Sequence, residues 1–154
     1  MANIDYIETD ASEIDAIKPL WEQLVRHHKA RSTYFKDFYD SFTFEKRKAD
    51  LLNKSREGYL RIDLAKDQDT DLYIGYCVST LNRGNEGEID SIFIEEAYRS
   101  TGIGSVFMKR ALAWMDDHRV EVKRVAVAVG NEGVFGFYSK YGFLPRQVIL
   151  EQKK

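Results

Sequence analysis

The sequence has little of what would mark several large protein classes. Cys77 is the only cysteine in 154 residues, so no disulfide can close within the chain. That economy fits a reducing cytosol. No stretch approaches the about 20 consecutive apolar residues needed to cross a bilayer. The opening "MANIDYIETDASEID" is acidic and mixed, without the basic start and apolar run of a signal peptide. Net charge is −2, which leaves no general electrostatic footprint for nucleic acid or an anionic membrane. His27, His28 and His118 have neither metal-ligand spacing nor a Cys or Asp/Glu cluster around them, so no metal is expected. There is no linker, repeat or low-complexity tract. These absences leave a soluble, cytoplasmic protein as the expectation, with residues 1–154 as a single domain.

What the sequence does have is aromatic residues, at 13%, enough to fill one core. "IDYIE" (4–8) alternates like a short strand. Ser12 with Asp15 resembles a capping box. Ile14, Ile17, Trp21, Leu24, Val25 and His28 follow at helical spacing, with a kink or restart expected at Pro19. "RSTYFKDFYDSF" (31–42) has no clear period. A second helix is expected over 43–53, with Phe44, Leu51 and Leu52 inward. Strands are expected over 59–66, 72–81 and 88–94, separated by the turns "DQDTD" and "NRGNEG". A helix then runs to about His118. "VKRVAVAV" (122–129) reads as a buried strand, 131–143 as a short helix ending at Gly142, and "LPRQVILEQ" as a last strand. The order β-α-α-β-β-β-α-β-α-β makes a mixed α/β domain. Its hairpins are antiparallel, and its later strand–helix–strand step is a parallel pair with a right-handed crossover.

The stretch "YRSTGIGSVF" sits between a strand and a helix. Free amide N–H groups and the helix dipole make such a turn an anion site. Gly102 and Gly104 remove Cβ atoms that would block close approach, and Arg99 can add a paired charge to a diphosphate. Two phosphate fingerprints do not fit. No lysine follows Gly104 as in a P-loop, and Phe107 stands where the third glycine of a dinucleotide motif belongs.

Taken together, these residues resemble the GNAT superfamily of acetyl-CoA-dependent N-acetyltransferases. The resemblance is carried by the acidic strand Glu88 to Ile94, Arg99 with Gly102 and Gly104, the strand 122–129, then Asn131, Tyr138 and Gly142-Phe143. It covers nearly the whole chain. Departures are Pro19 in the first helix and Glu95-Glu96 where many members have a proline. The resemblance implies that Ser100, Thr101, Gly102, Ile103, Gly104 and Ser105 cradle the CoA pyrophosphate. It implies that Phe93 and Ile94 pair through their main chains with the pantetheine arm. The parallel strands around 88–94 and 122–129 would splay apart to admit that arm.

Acetyl transfer to an alkylamine must first free the amine, at a cost of roughly 4–5 kcal/mol at neutral pH for a pKa of about 10.4. Glu88, at the place where some members carry a catalytic glutamate, is the candidate base. Asp90, on the same strand face by period-two alternation, and a bridging water remain open as alternatives. Tyr138 is the candidate acid for the leaving thiolate. Asn131 could contact the pantetheine or simply cap a helix. Phe35, Phe38, Tyr39 and Phe42 could line an acceptor pocket or be plain core. Cys77 would permit an acyl-cysteine route only if it were accessible. The acid-rich "EGEIDSIFIEE" could favour a cationic acceptor or merely form a solvated edge.

The expected activity is therefore transfer of acetyl from acetyl-CoA, as co-substrate, to a primary amine. The acceptor is a small molecule or peptide, attacking directly in a ternary complex. A non-catalytic acetyl-CoA or CoA-binding sensor is the alternative. "QVILEQ" could join a homodimer.

Overall fold

A computed structural model describes residues 2–154. Its sheet has five strands in sequence order: β1 (Ile4–Thr9), β2 (Tyr59–Asp67), β3 (Leu72–Leu81), β4 (Glu86–Ile94) and β5 (Val122–Val125). The first four are joined antiparallel and β5 lies parallel to β4. The helices are α1 (Lys18–Arg31), α2 (Lys36–Ser41), α3 (Phe44–Glu57), α4 (Ile103–Asp117) and α5 (Phe135–Ser139).

Two apolar layers sandwich the sheet. On one face Ile62, Leu64, Tyr76, Val78 and Phe93 pack against Ile14, Ile17, Leu20, Trp21, Phe44 and Leu51. On the other, Ile74, Cys77 and Ile89 meet Ile103, Phe107, Met108, Ala111 and Met115 of α4, with Tyr138 of α5. Each large apolar side chain removed from water in these layers contributes about 1.5–3 kcal/mol. The α4 stripe at 103, 107, 108, 111 and 115 is the helical period the sequence shows. Gly87 permits that helix to approach closely, since a Cβ there would lie 2.8 Å from Met115 Sδ. The wholly buried Asp63 accepts from Arg61 on its own strand and from Arg110 of α4, at 2.9–3.0 Å. A buried charge is tolerated only with such partners.

Several sequence expectations need correction. Asp10, not Ser12, caps the first segment: its carboxylate accepts from the Ser12 amide at 2.9 Å, ahead of a 3-10 turn over Ala11–Ile17. The helix restarts at Lys18 with Pro19 in its first turn, where a missing N–H costs nothing. The aperiodic aromatic stretch contains the short helix α2. The strand expected over 122–129 pairs only through Val125, and it lies at the edge rather than buried, with Val129 57% exposed. The last strand does not form. Residues 144–154 carry no regular structure, and Leu150 is 91% exposed.

The end of β5 positions the site. Pairing runs from Glu86 with Val122 to Ile89 with Val125. Beyond it, β4 continues to Ile94 while 126–129 leave the sheet. The two chains splay into a wedge. At the same level the β3–β4 register slips, Val78 facing Ser91 and Ser79 facing Ile89, so Asp90 is the extra residue of a β-bulge.

Candidate active site

Past the end of its pairing with β5, β4 runs on to Ile94, and the glycine turn follows it in the chain. Ser100 and Gly102 both have positive φ, 63° and 91°. For Gly102 that backbone, not crowding, is what requires glycine, because a Cβ there would meet nothing within 4 Å. Gly104 is glycine for space: a Cβ would stand 3.1 Å from Phe137. The first helical bond of α4 is Val106 N–H to Gly102 O, at 3.1 Å. The amides of Gly102, Ile103, Gly104 and Ser105 therefore precede the intrahelical ladder. No acidic side chain occupies the first turn of α4 to offset the dipole there.

The side chains of this turn fix its shape. Thr101 Oγ1 donates to Tyr98 O at 2.5 Å, Ile103 is buried in the core, and Ser105 Oγ accepts from Tyr141 OH at 2.9 Å. Arg99 is exposed. One of its N–H groups donates to Ile94 O at 2.8 Å, and its guanidinium lies 5.3 Å from the Phe93 ring centroid. Among the described residues its side chain makes no other hydrogen bond or ion pair. Free backbone amides and a guanidinium are donors of the kind a pyrophosphate takes.

Strand alternation decides which main-chain groups line the wedge. Glu95 N–H donates to Ile74 O at 2.9 Å. That makes Ile94 and Gly75 a non-hydrogen-bonded pair, and Phe93 with Tyr76 the hydrogen-bonded one. Ile92 and Ile94 therefore direct their main chains to the open side, while Phe93 directs its own to β3. Of the two residues expected to pair with a pantetheine arm, Ile94 turns its main chain to the open side and Phe93 turns its own to β3; Ile92 faces the open side as well.

The wedge holds a cleft of about 80 Å³. Tyr138 lines it, 7% exposed, with burial pushing its phenol above the ordinary value. Asn131 also lines it; its side chain makes no capping bond, and its Oδ1 lies 3.4 Å from His27 Nε2. Leu24 and His28 of α1 line the cleft as well. His28 Nδ1 is the one buried side-chain nitrogen or oxygen without a hydrogen-bond partner among the described residues.

Glu88 is not in the wedge. It lines a separate cleft of about 390 Å³, where Lys54, Glu57, Arg83, Glu86 and Arg124 supply the other charges. Lys54 Nζ lies 3.3 Å from Glu88 and also pairs with Asp90. The Asp90 side chain is wholly buried and accepts a second bond from Thr80 Oγ1, at 2.6 Å. Burial raises its pKa against the opposing pull of Lys54 and Thr80. Burial also draws the Lys54 value down, but its bonds and charge contacts with Asp90 and Glu88 outweigh this and raise it. Glu86 pairs with Arg124 at 3.1 Å. Glu86, Glu88 and Asp90 of the acid-rich stretch are thus each paired with a cation.

Residues 21–143 match the acetyltransferase (GNAT) family. The chain belongs to that family. An uncharacterised N-acetyltransferase of Methanocaldococcus jannaschii is 26% identical over 72 residues, 47% of this chain. The match spans only 32% of that relative's length. The fold is that of solved GNAT structures. The PaiA N-acetyltransferase of Thermoplasma acidophilum in complex with coenzyme A superposes with a TM-score of 0.72 at 19% identity, covering 96% of this chain and 93% of its own. The aminoglycoside enzyme AAC(6')-Iy, bound to a CoA–acetylneamine bisubstrate analogue, gives 0.70 at 13% identity, covering 99% of each.

Other candidates of this GNAT chain fall outside the wedge. Phe42 packs edge-on to Trp21 at 5.3 Å and Phe38 packs against Phe42, so both build core and rim. Tyr39 stands 5.9 Å from the His28 ring. Cys77 is fully buried and its thiol is pushed up to about 12, mainly by burial. Such a thiol is no nucleophile. Among the described residues no group of three His, Cys, Asp or Glu side chains could hold a metal ion, and no helix is long and apolar enough to cross a membrane. Sequence reasoning missed His28 as a wedge residue. The signal was a polar ring on an otherwise apolar helix stripe.

Proposed function

We propose that this enzyme is an N-acetyltransferase that moves acetyl from acetyl-CoA to a primary amine of a small molecule or peptide, by direct attack in a ternary complex. The observation that carries this reading is the splay of β4 from 126–129, whose cleft Tyr138 lines, beside a helix that starts after β4 with the unladdered amides of Gly102–Ser105. In this reading those amides and Arg99 hold the pyrophosphate. Ile92 and Ile94 offer strand-like hydrogen bonds to the pantetheine arm, and Asn131 guides it past α5. Bound acetyl-CoA supplies a thioester activated for acyl transfer.

Tyr138, kept protonated by burial, donates a hydrogen bond to the leaving sulfur and supplies its proton. A buried phenolate is costly, so that proton is replaced from water as it leaves. Glu88 lies one residue beyond the closed end of the wedge and meets the acceptor as it enters. It takes the ammonium's first proton, directly or through a water. The amine acceptor is supported by the aminoglycoside ligand of AAC(6')-Iy.

The test is release of free CoA, followed with a thiol reagent, across a panel of amines, amino acids, polyamines and peptides. At least one acceptor should drive release well above hydrolysis, and Tyr138→Phe should slow it by about 10-fold or more. Silence with every acceptor defeats the reading.

A further inference from the structure

Resting on that reading, we propose that His28 is a second proton acceptor in this enzyme, taking the proton from the attacking nitrogen inside the wedge. Moving acetyl onto an ammonium requires two protons to leave the nitrogen. One must go before attack, to expose the lone pair. The other goes as the C–N bond forms and the C–S bond breaks. Glu88 can take the first from the neighbouring cleft. It does not line the wedge where the second is lost.

The groups around the wedge narrow the choice. Asp90 is there, but its carboxylate is held by Lys54 and Thr80. Tyr138 is protonated and is needed at the sulfur. Asn131 does not ionise. His28 alone brings an uncommitted ring to the cleft: it lines the cleft, and its Nδ1 has no hydrogen-bond partner. A buried polar atom without a partner is costly and rare in native proteins. Binding of an N–H at this nitrogen would relieve that cost at the moment of reaction.

The charge state agrees. The titratable groups around the ring are His27 on α1, Tyr39 on α2, Asp90 on β4 and Tyr138 on α5. Burial first, and then the neighbouring His27, lower the His28 value to about 4. The ring is therefore neutral at pH 7. A base this weak cannot deprotonate a free alkylammonium. It suffices for a nitrogen becoming an amide, whose basicity collapses as the C–N bond forms. The imidazolium then gives its proton to water at once. No oxidant or further reactant is needed: acetyl moves from sulfur to nitrogen, two protons leave the nitrogen, and one proton reaches the sulfur.

The experiment compares His28→Ala and His28→Asn with Glu88→Gln, each on two acceptors. One is a strongly basic alkylamine; the other is a weakly basic amine already unprotonated at neutral pH. Both His28 variants should lower kcat by about 100-fold with either acceptor. Imidazole added to His28→Ala should restore part of the rate. The loss in Glu88→Gln should shrink sharply with the weakly basic amine. Acetyl-CoA should still raise the Tm of every variant, which separates a lost proton acceptor from a lost fold.

Wild-type kcat in the His28 variants, or a loss that imidazole does not restore in a protein still stabilised by acetyl-CoA, overturns the assignment. If instead the wild type itself turns over no amine, the transferase reading falls, and this one with it.

Discussion

Two clefts flank the same four-residue pairing of β4 with β5, and they are built on opposite principles. The one at Glu88 is roomy, about 390 Å³, and Lys54 pairs with Glu88 while Arg124 pairs with Glu86. The one in the wedge is about 80 Å³, walled by Leu24, Ile89, Val125 and Val127, and it leaves one buried nitrogen unmatched. Charge in the first is compensated within the protein. In the second a polar atom is left for a visitor to satisfy. In the proposed reaction, water and the entering acceptor meet the first. A thioester, which must be shielded from hydrolysis, suits the second. The difference teaches that a run of acids along a strand need not make a cation trap. What matters is where the strand's partner stops.

The largest break in this comparison comes from closing the wedge at its anion end. Gly104→Val would set branched carbon against the Phe137 ring, which would stand only 3.1 Å from the new Cβ, and would cover the amides of the first turn. Affinity for CoA should fall by at least about 100-fold, which corresponds to about 2.7 kcal/mol of lost binding. Calorimetry with CoA measures this, and unchanged affinity would remove the glycine turn from the site. The Glu88 cleft, at the other end of the pairing, should keep its structure in this variant.

A somewhat smaller effect should follow from unmatching the other cleft. Lys54→Met removes the cation shared by Glu88 and Asp90, leaving Asp90 buried with only Thr80 as partner. An uncompensated buried carboxylate is strongly unfavourable. Because Lys54 is itself 38% exposed, solvent reaches the pair and the expected loss is about 2–3 kcal/mol. Chemical denaturation should show it, and Asp90→Asn in the same chain should recover part. Full additivity of the two changes would mean that the pair is not coupled.

Much of this arrangement is legible in the sequence, for reasons that also explain what is not. The apolar run of β3, the alternation in β4 and the 3.6-residue stripe of α4 are local patterns whose partners lie next to them in the chain. The glycine turn is legible because positive φ and close approach each demand one residue type. The last strand is not. "QVILEQ" has the composition of a strand, but a strand exists only when a neighbour's edge accepts it, and the parallel pairing of β5 ends at Val125. The α2 helix is six residues long, too short to show a period.

At the site, period-two alternation sets Glu88 and Asp90 on one strand face, and there Lys54 meets both. It says nothing of the bulge that makes Asp90 the extra residue, and so cannot say which carboxylate stays outside the wedge. It likewise puts Phe93 and Ile94 side by side without telling which one turns its main chain to the opening. That depends on the Ile94–Gly75 register.

The smallest expected effect sharpens the comparison through pH. A histidine matched to partners would hold its proton near the ordinary value of about 6.5. His28 has its folded value lowered to about 4, burial being the main cause. As pH falls below about 6.5, the unfolded chain takes up the proton first, and stability is lost progressively until the folded ring also protonates near 4. His28→Leu has no such proton to bind, so between pH 7 and 4 its stability should fall less than that of the wild type. The gap should reach roughly 1–2 kcal/mol after allowance for the ring's partial contact with water. Other groups titrate in this range in both proteins, so the quantity to follow is the difference between the two unfolding curves at each pH. Parallel curves would mean that the ring finds a partner in solution, and the wedge would then be matched in the same way as its neighbour.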